Sequence, residues 1–171
     1  MNMGHDRVRM MQASDLARVL GWRNHPDVRR FMYSQHEISP QEHQAWFNQH
    51  QQNPAKTMLI FEAAGVPQGF VQFTRRTGES PIADWGFYIA PDAPKGTGRR
   101  MGLAALSFAF NELNLHKVCG EAFGYNAASI GFHQAMGFVQ EGERRARYFD
   151  GTAYHSVILF GLLKSAWPHC V

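Results

Sequence analysis

Between residues 94 and 104 the chain reads Pro94-Lys95-Gly96-Thr97-Gly98-Arg99-Arg100-Met101-Gly102-Leu103-Ala104, three glycines and three cations within eleven positions. The segment follows a strand-like run, Ile82 to Ile89, and leads into a helical pattern from Arg99 to Leu113 that carries Met101, Leu103, Leu106, Phe108 and Phe110. A loop of this kind leaves N–H groups at the helix start without intrahelical acceptors, where the helix dipole favours negative charge. Glycine removes the Cβ that would keep a phosphate at a distance. On chemistry alone the segment is a diphosphate cradle, and an ordinary glycine loop fits the same residues. A nucleotide P-loop needs GxxxxGK[ST], which is absent. A dinucleotide fingerprint needs a third glycine where Met101 stands.

Working outward, the pattern predicts a mixed α/β domain around one largely antiparallel sheet. Val8 to Met11 reads as a strand, and Ser14-Asp15 caps a helix running to Trp22. Asn24-His25-Pro26 breaks that helix, and Asp27 to Met32 forms a short helical piece. Ser39, Pro40 and Glu42 make a capping box with proline in the first turn, opening a helix through Trp46 and Phe47. Met58 to Ala63 and Gly69 to Thr74 form a hairpin. After the glycine loop and its helix come a strand, Lys117 to Phe123, and a helix, Ala127 to Met136, closed by Gly137. Two last strands, from Val139 and over Tyr154 to Leu163, turn at Asp150-Gly151.

Two motifs then carry a family resemblance. Arg99-Arg100-Met101-Gly102-Leu103-Ala104 resembles the R/Q-x-x-G-x-G/A motif of the GNAT acetyltransferases. Asn126-Ala127-Ala128-Ser129, followed by His133 and Gly137-Phe138, resembles that family's second signature, in the same order and spacing. The resemblance covers nearly the whole chain and implies the GNAT fold, an acetyl-CoA co-substrate and a primary amine acceptor. It places the CoA pyrophosphate on Lys95, Gly96, Thr97, Gly98, Arg99, Arg100, Met101, Gly102 and Leu103, with Asn126 and Ser129 beside the cofactor. It makes Asp84 to Ile89 the bulged strand that pairs with pantetheine, with an N–H at Ile89 or its neighbour as oxyanion donor. Asn126 also serves as a helix N-cap. Many family members carry tyrosine at the position of His133, assigned to protonate the thiolate. Imidazole can do the same near neutral pH, and a packed helix histidine fits the position equally.

The acceptor side reads Trp22-Arg23-Asn24, then Val28-Arg29, Met32, Ile38 and Glu42-His43-Gln44-Ala45-Trp46-Phe47. The pattern is similar to the sugar-nucleotide N-acetyltransferases of pseudaminic acid biosynthesis. That resemblance implies acetylation of the 4-amino group of UDP-4-amino-4,6-dideoxy-N-acetyl-β-L-altrosamine. Related ribosomal-protein alanine acetyltransferases share its pieces loosely. Candidate substrate residues are Trp22 or Trp46 for a uracil face, Arg29 and Arg30 for a diphosphate, Asn24, His43 and Tyr88. Each aromatic has core packing as its alternative, and the arginines a solvated basic face. Glu42 is explained by the capping box. His43 has no such duty and is the candidate to orient or deprotonate the amine, while His133 or Tyr88 protonates the thiolate. Arg144, Arg145 and Arg147 read as a solvated edge strand.

Composition bounds the rest. The 171 residues, 44% hydrophobic and 18% charged, suit one packed domain over residues 1–171. A net charge of +3 fits an anionic small molecule better than nucleic acid, and no nucleic-acid partner is expected. No apolar run has membrane-spanning length and residues 1–11 lack a signal-peptide core, so the expected location is the cytoplasm, without membrane attachment. Cys119 and Cys170 are expected to be reduced structural thiols. The nine histidines are scattered, and no metal is expected. A homodimer through edge strands is compatible with the pattern, which sets no oligomeric state. Two rival functions remain: a protein N-terminal acetyltransferase, and a non-catalytic acyl-CoA sensor. A polyamine acceptor calls for an acidic pocket, which the front region does not supply.

Overall fold

A computed structural model describes residues 5–77 and 81–168, so Cys170 lies outside the described residues. Seven strands form one sheet in the order β1-β2-β3-β4-β5-β7-β6. They are β1 (Arg7–Met10), β2 (Lys56–Ala63), β3 (Val66–Arg75), β4 (Ile82–Ile89), β5 (Lys117–Phe123), β6 (Val139–Phe149) and β7 (Tyr154–Leu163). Every neighbouring pair is antiparallel except β4–β5. The helices are α1 (Leu16–Asn24), α2 (Pro26–Arg29), α3 (Pro40–Gln51), α4 (Thr97–Asn111) and α5 (Ala127–Ala135). This is the mixed, mostly antiparallel sheet with flanking helices that the sequence predicts.

The sheet is buried on both faces, which explains why β2 is apolar without strict alternation. Leu59 and Phe61 join Val71, Phe73, Met101, Leu106 and Phe110 in the core beneath α4 and α5. Met58 and Ile60 point the other way, to Val19, Trp22, Phe47 and Phe70 beneath α1 and α3. The period-two alternation of the strand therefore feeds two cores. The capping box forms as expected: the Ser39 hydroxyl accepts from the Glu42 amide at 3.1 Å.

Three expectations need correction. The predicted helix from Asp27 to Met32 is one turn, α2, ending at Arg29, because beyond its C-cap Arg30 the amides of Phe31 and Met32 reach back only three residues, to Val28 O and Arg29 O, and form turns rather than a helical ladder. The helix after the glycine loop starts at Thr97 rather than Arg99, with Gly96 as N-cap in a left-handed conformation, φ 88°. The expected bulge in β4 is absent: its register against β3 runs unbroken from Ala83 to Ile89. The shifts in register lie in the β2–β3 and β6–β7 pairs.

Candidate active site

β4 and β5 hold together for three residue pairs, Ile82–Lys117, Ala83–Val118 and Asp84–Cys119, and then part. Beyond that fork the Ala90 amide donates to Gln68 on the β3 side at 2.9 Å. By strand alternation the amides of Phe87 and Ile89 then point away from β3, into the opening. The opening continues as a cleft of about 1370 Å³ that runs from α5 through the fork to the wall formed by α1, α3 and residues 27–38. Donors fixed in a rigid strand and aimed into a partly enclosed gap suit a developing oxyanion.

The glycine loop ends at the start of α4, whose first turn has no side-chain cap. The Thr97 amide donates to the Pro94 carbonyl at 3.2 Å, and its hydroxyl reaches Pro94 O at 2.7 Å and Gln68 Oε1 at 3.3 Å. The helical ladder begins with Arg100 N–H to Gly96 O, 3.2 Å. Among the described residues this leaves Gly96, Gly98 and Arg99 with unpaired amides at the positive helix end. Not every amide from Gly96 to Leu103 is open, which narrows the predicted cradle. Thr97 pins the loop, and Met101 is fully buried in the core. Leu103 packs against the same core. Gly102 faces α5, where a Cβ would come within 2.8 Å of Phe132 and 2.7 Å of Met136. These four support the loop from beneath. Lys95 and Arg99 are exposed with no ion pair among the described residues, whereas Arg100 is turned onto Asp6, with Nε at 2.7 Å. The free cations flanking the open amides are therefore Lys95 and Arg99.

His133 borders the cleft but is only 1% exposed. Its Nδ1 donates to the Ser129 carbonyl at 2.8 Å, so its Nε2 accepts from the Trp85 indole at 3.1 Å. Burial holds its pKa below the usual histidine value. A Cβ on Gly120 would lie 2.5 Å from that Nε2 and 2.8 Å from Trp85 Nε1, so the glycine makes room for the pair. With its one N–H bound to Ser129 O and Nε2 accepting from Trp85 in a neutral ring, His133 presents no acidic proton to the cleft. This corrects the expectation of a catalytic acid there. Tyr88 lies on the acceptor side of β4, stacked on Phe70 at 5.0 Å, and its hydroxyl has no hydrogen bond among the described residues. Burial raises its pKa, so the phenol stays protonated. Asn126 and Ser129 line the cleft, and Asn126 Oδ1 caps α5 through the Ser129 amide at 3.1 Å.

The acceptor wall regroups the predicted residues. Trp22 is core, packed with Val19 and Phe47. Asn24 clamps Ile38 through two bonds of 2.8 Å. Arg29 stands 3.9 Å from Glu37, and the Arg30 guanidinium lies 4.6 Å over the Phe31 ring. None of these four side chains lines the cleft. Trp46 and His43 do, their rings stacked 5.0 Å apart. His43 is 5% exposed, and its Nε2 is buried with no partner. Burial first, and Arg23 second, hold its pKa below the usual value, so the ring is neutral at pH 7. Arg23, quoted in the Trp-Arg-Asn motif but given no role there, reaches the cleft from this wall, where Arg29 and Arg30 do not. Its Nη2 donates to Ser34 O at 2.8 Å while Nη1 is buried and unpartnered. The missed signal was positional: one helix turn that buries Trp22 in the core turns its neighbour Arg23 onto the sheet opening. Among the described residues no group of three His, Cys, Asp or Glu side chains is placed to hold a metal ion, and no helix is long and apolar enough to cross a membrane.

Comparison with known proteins agrees with this geometry. Residues 7–139 match the family model described as an acetyltransferase (GNAT) domain. The chain is 36% identical over 83 residues to the SPbeta prophage-derived uncharacterized N-acetyltransferase YokL of Bacillus subtilis, a match spanning 47% of this chain and about half (47%) of that relative. It is 27% identical over 140 residues to acetyltransferase PseH of Campylobacter jejuni, covering 81% of this chain and 86% of the relative. The solved structure of spermidine N-acetyltransferase from Vibrio cholerae, in complex with CoA and spermine, shares the fold with a TM-score of 0.87 at 24% identity. That likeness covers 95% of this chain and 97% of the other.

Proposed function

Since the chain belongs to the GNAT acetyltransferase family, we propose that it acetylates the 4-amino group of a UDP-linked amino-deoxy sugar, UDP-4-amino-4,6-dideoxy-N-acetyl-altrosamine, in pseudaminic acid biosynthesis, as a single 1–171 domain in the cytoplasm. The coarser activity is that of the family: the protein is an N-acetyltransferase that takes its acetyl group from acetyl-CoA. The second substrate supplies an acetyl thioester, and the open amides of Gly96, Gly98 and Arg99 with Lys95 and Arg99 beside them suit its pyrophosphate. The amides of Phe87 and Ile89 donate to the carbonyl oxygen as charge builds there. The Tyr88 hydroxyl holds the proton that the leaving sulfur takes, and recovers one from the acylated nitrogen. No side chain needs to carry the acetyl group, and much of the rate comes from holding both substrates in the fork.

The observation that carries the choice of acceptor is the pair of buried polar atoms at the far end of the cleft, Arg23 Nη1 and His43 Nε2, that have no partner among the described residues. A buried polar group without a partner is destabilising by about 1–3 kcal/mol, so the site is built to receive something. A guanidinium beside a neutral imidazole suits the phosphates of a nucleotide sugar, with Trp46 as an apolar wall. Spermidine has no anion to offer and meets a buried cation there. The motif resemblance to sugar-nucleotide enzymes supports the same acceptor. The test is thiol release across UDP-4-amino sugars, spermidine and an N-terminal Ser/Ala peptide. Turnover of the 4-amino-altrosamine nucleotide alone is expected. Turnover of spermidine or the peptide, with none of the nucleotide, would overturn the sugar assignment. Acetyl-CoA binding with no turnover on any amine would favour a sensor.

A further inference from the structure

Among the described residues five glycines lie inside strands: Gly69 in β3, Gly86 in β4, Gly120 in β5, Gly142 in β6 and Gly161 in β7. Four of them are covered by a side chain. A Cβ on Gly69 would lie 2.6 Å from Met101 Sδ, one on Gly120 2.5 Å from His133 Nε2 and one on Gly142 3.6 Å from Leu159, while Gly161 is covered by Glu141. Gly86 differs from all four: a Cβ there would meet no heavy atom of the described residues within 4 Å. Its φ is outside the left-handed region, so a side-chain-bearing residue could hold the same backbone. A glycine inside a strand weakens it, and marks a bulge, a bend or the close approach of a ligand. β4 has no bulge against β3, and Gly86 is its one exposed residue although β4 is the middle strand of the sheet.

The exposure is to the cleft, which Gly86 lines. Strand alternation puts it on one face with Asp84 and Tyr88, the face of the acceptor wall, where Tyr88 stacks on Phe70. Directly across stands Gln72. Its amide N–H donates to the Thr74 hydroxyl at 3.3 Å, and its amide oxygen accepts no bond among the described residues. On the other side β5 has left the pair after Asp84–Cys119. The result is a bare patch of main chain walled by Tyr88, Asp84 and Gln72, one peptide unit from the Phe87 amide. A carbonyl oxygen held on that amide sits about 2.9 Å from its nitrogen. The attacking nitrogen comes within about 3–3.5 Å of the carbonyl carbon. The carbon that carries the amine is the next atom out, over the patch.

We propose that Gly86 is a specificity-determining residue of the acceptor site. Its missing side chain leaves room for the second substituent of an amine on a branched carbon, as in a sugar ring. The Gln72 amide oxygen is placed to accept from a hydroxyl or N–H on that substituent. An unbranched CH2–NH2 end carries only hydrogens there and has no use for the space. The inference rests on the acetyl-transfer reading of the cleft and deepens it, naming the class of amine.

The test follows steady-state acetylation of UDP-4-amino-4,6-dideoxy-N-acetyl-altrosamine by wild type, Gly86→Ala and Gly86→Val at saturating acetyl-CoA. Calorimetry gives the Kd of acetyl-CoA, and thermal melts give Tm. The KM for the sugar nucleotide is expected to rise about tenfold in Gly86→Ala and further in Gly86→Val, the size of an overpacked contact. The Kd of acetyl-CoA should stay within about twofold. The Tm of Gly86→Ala should rise by about 1–4 °C, because alanine suits a strand better than glycine and meets no clash. A variant that is more stable yet poorer towards the acceptor is not what a merely structural glycine would give. An unchanged KM in Gly86→Val overturns the role, and so does a fall in acetyl-CoA affinity as large as the rise in KM. Wild-type turnover of spermidine, with none of the nucleotide or of an N-terminal Ser/Ala peptide, overturns this inference together with the sugar assignment. Turnover of the peptide alone ends the sugar assignment and supports the role of Gly86, since the peptide's amine also sits on a branched carbon; the KM comparison is then made with the peptide.

Discussion

At position 133 a histidine stands where the family resemblance implies a tyrosine, and its surroundings settle its protonation. Nδ1–H is bound to Ser129 O, Nε2 to the Trp85 indole, and the ring stacks on Phe160 at 4.8 Å. Tyr88, by contrast, is a protonated phenol with an unoccupied hydroxyl in the cleft. Tyr88→Phe is therefore expected to lower kcat by about 100-fold or more, the usual size of a lost general acid. His133→Gln should leave kcat within about threefold, since a glutamine amide can accept from Trp85 and donate to Ser129. Steady-state thiol release on both variants checks this, and the opposite ranking would return the acid to His133. Sequence pattern singled out His43 because it lacked a capping duty, and the structure places it in the cleft. It attached the acceptor's cations to Arg29 and Arg30 rather than Arg23. Helical periodicity says which residues share a face, but not which face meets a gap between distant strands.

At the scale of elements, the glycine loop and α4 divide into a part that presents amides and a part that packs. Gly96 holds φ 88°, a conformation that costs a side-chain-bearing residue roughly 1–2 kcal/mol. Gly96→Val should weaken acetyl-CoA binding by about tenfold, with Gly96→Asn weakening it less because asparagine tolerates the left-handed region. Gly102→Ala should instead lower stability by about 1–3 kcal/mol through overpacking against Phe132 and Met136. Its acetyl-CoA affinity should stay near wild type. Calorimetric titration and thermal melts separate the two effects, and a loss of affinity in Gly102→Ala without a change in Tm would contradict the division. The strands and helices were legible because apolar runs, caps and turn residues are local signals. The fork was not. It depends on β4 and β5 pairing over three residues after a long excursion through α4, and no local pattern records where two distant strands separate. The expected bulge failed for the same reason, since a bulge is a property of the partner strand's register as much as of the strand itself.

Across the whole molecule, the two cores on either side of one sheet enclose ionisable groups that tie stability to pH. His133 and His43 are buried and His50 partly so, and burial is the first cause of the lowered pKa of each. The unfolded chain binds protons at these sites near the ordinary value of 6.5, while the folded chain does not. Above that value both states are neutral and these groups add no pH dependence. As pH falls below it, the unfolded state takes up protons first, so stability is lost until the lower folded values are reached. A second window opens further down. Asp15, 2% exposed and held by Arg9 through bonds of 2.8 and 2.9 Å, has its pKa pulled below 3.8, chiefly by that hydrogen bonding. The stability it contributes is present above 3.8 and is lost as pH falls through its folded value. Thermal melts should therefore show a Tm that is insensitive to these histidines above about pH 7, declines as pH falls below about 6.5, and declines again below about 4. His133→Gln should flatten the first decline, because it removes one titrating ring from the buried set, and leave the second in place. A wild-type Tm that shows no decline as pH falls below about 6.5, the ordinary histidine value, would mean that solvent reaches these rings and that the cores are looser than their packing shows.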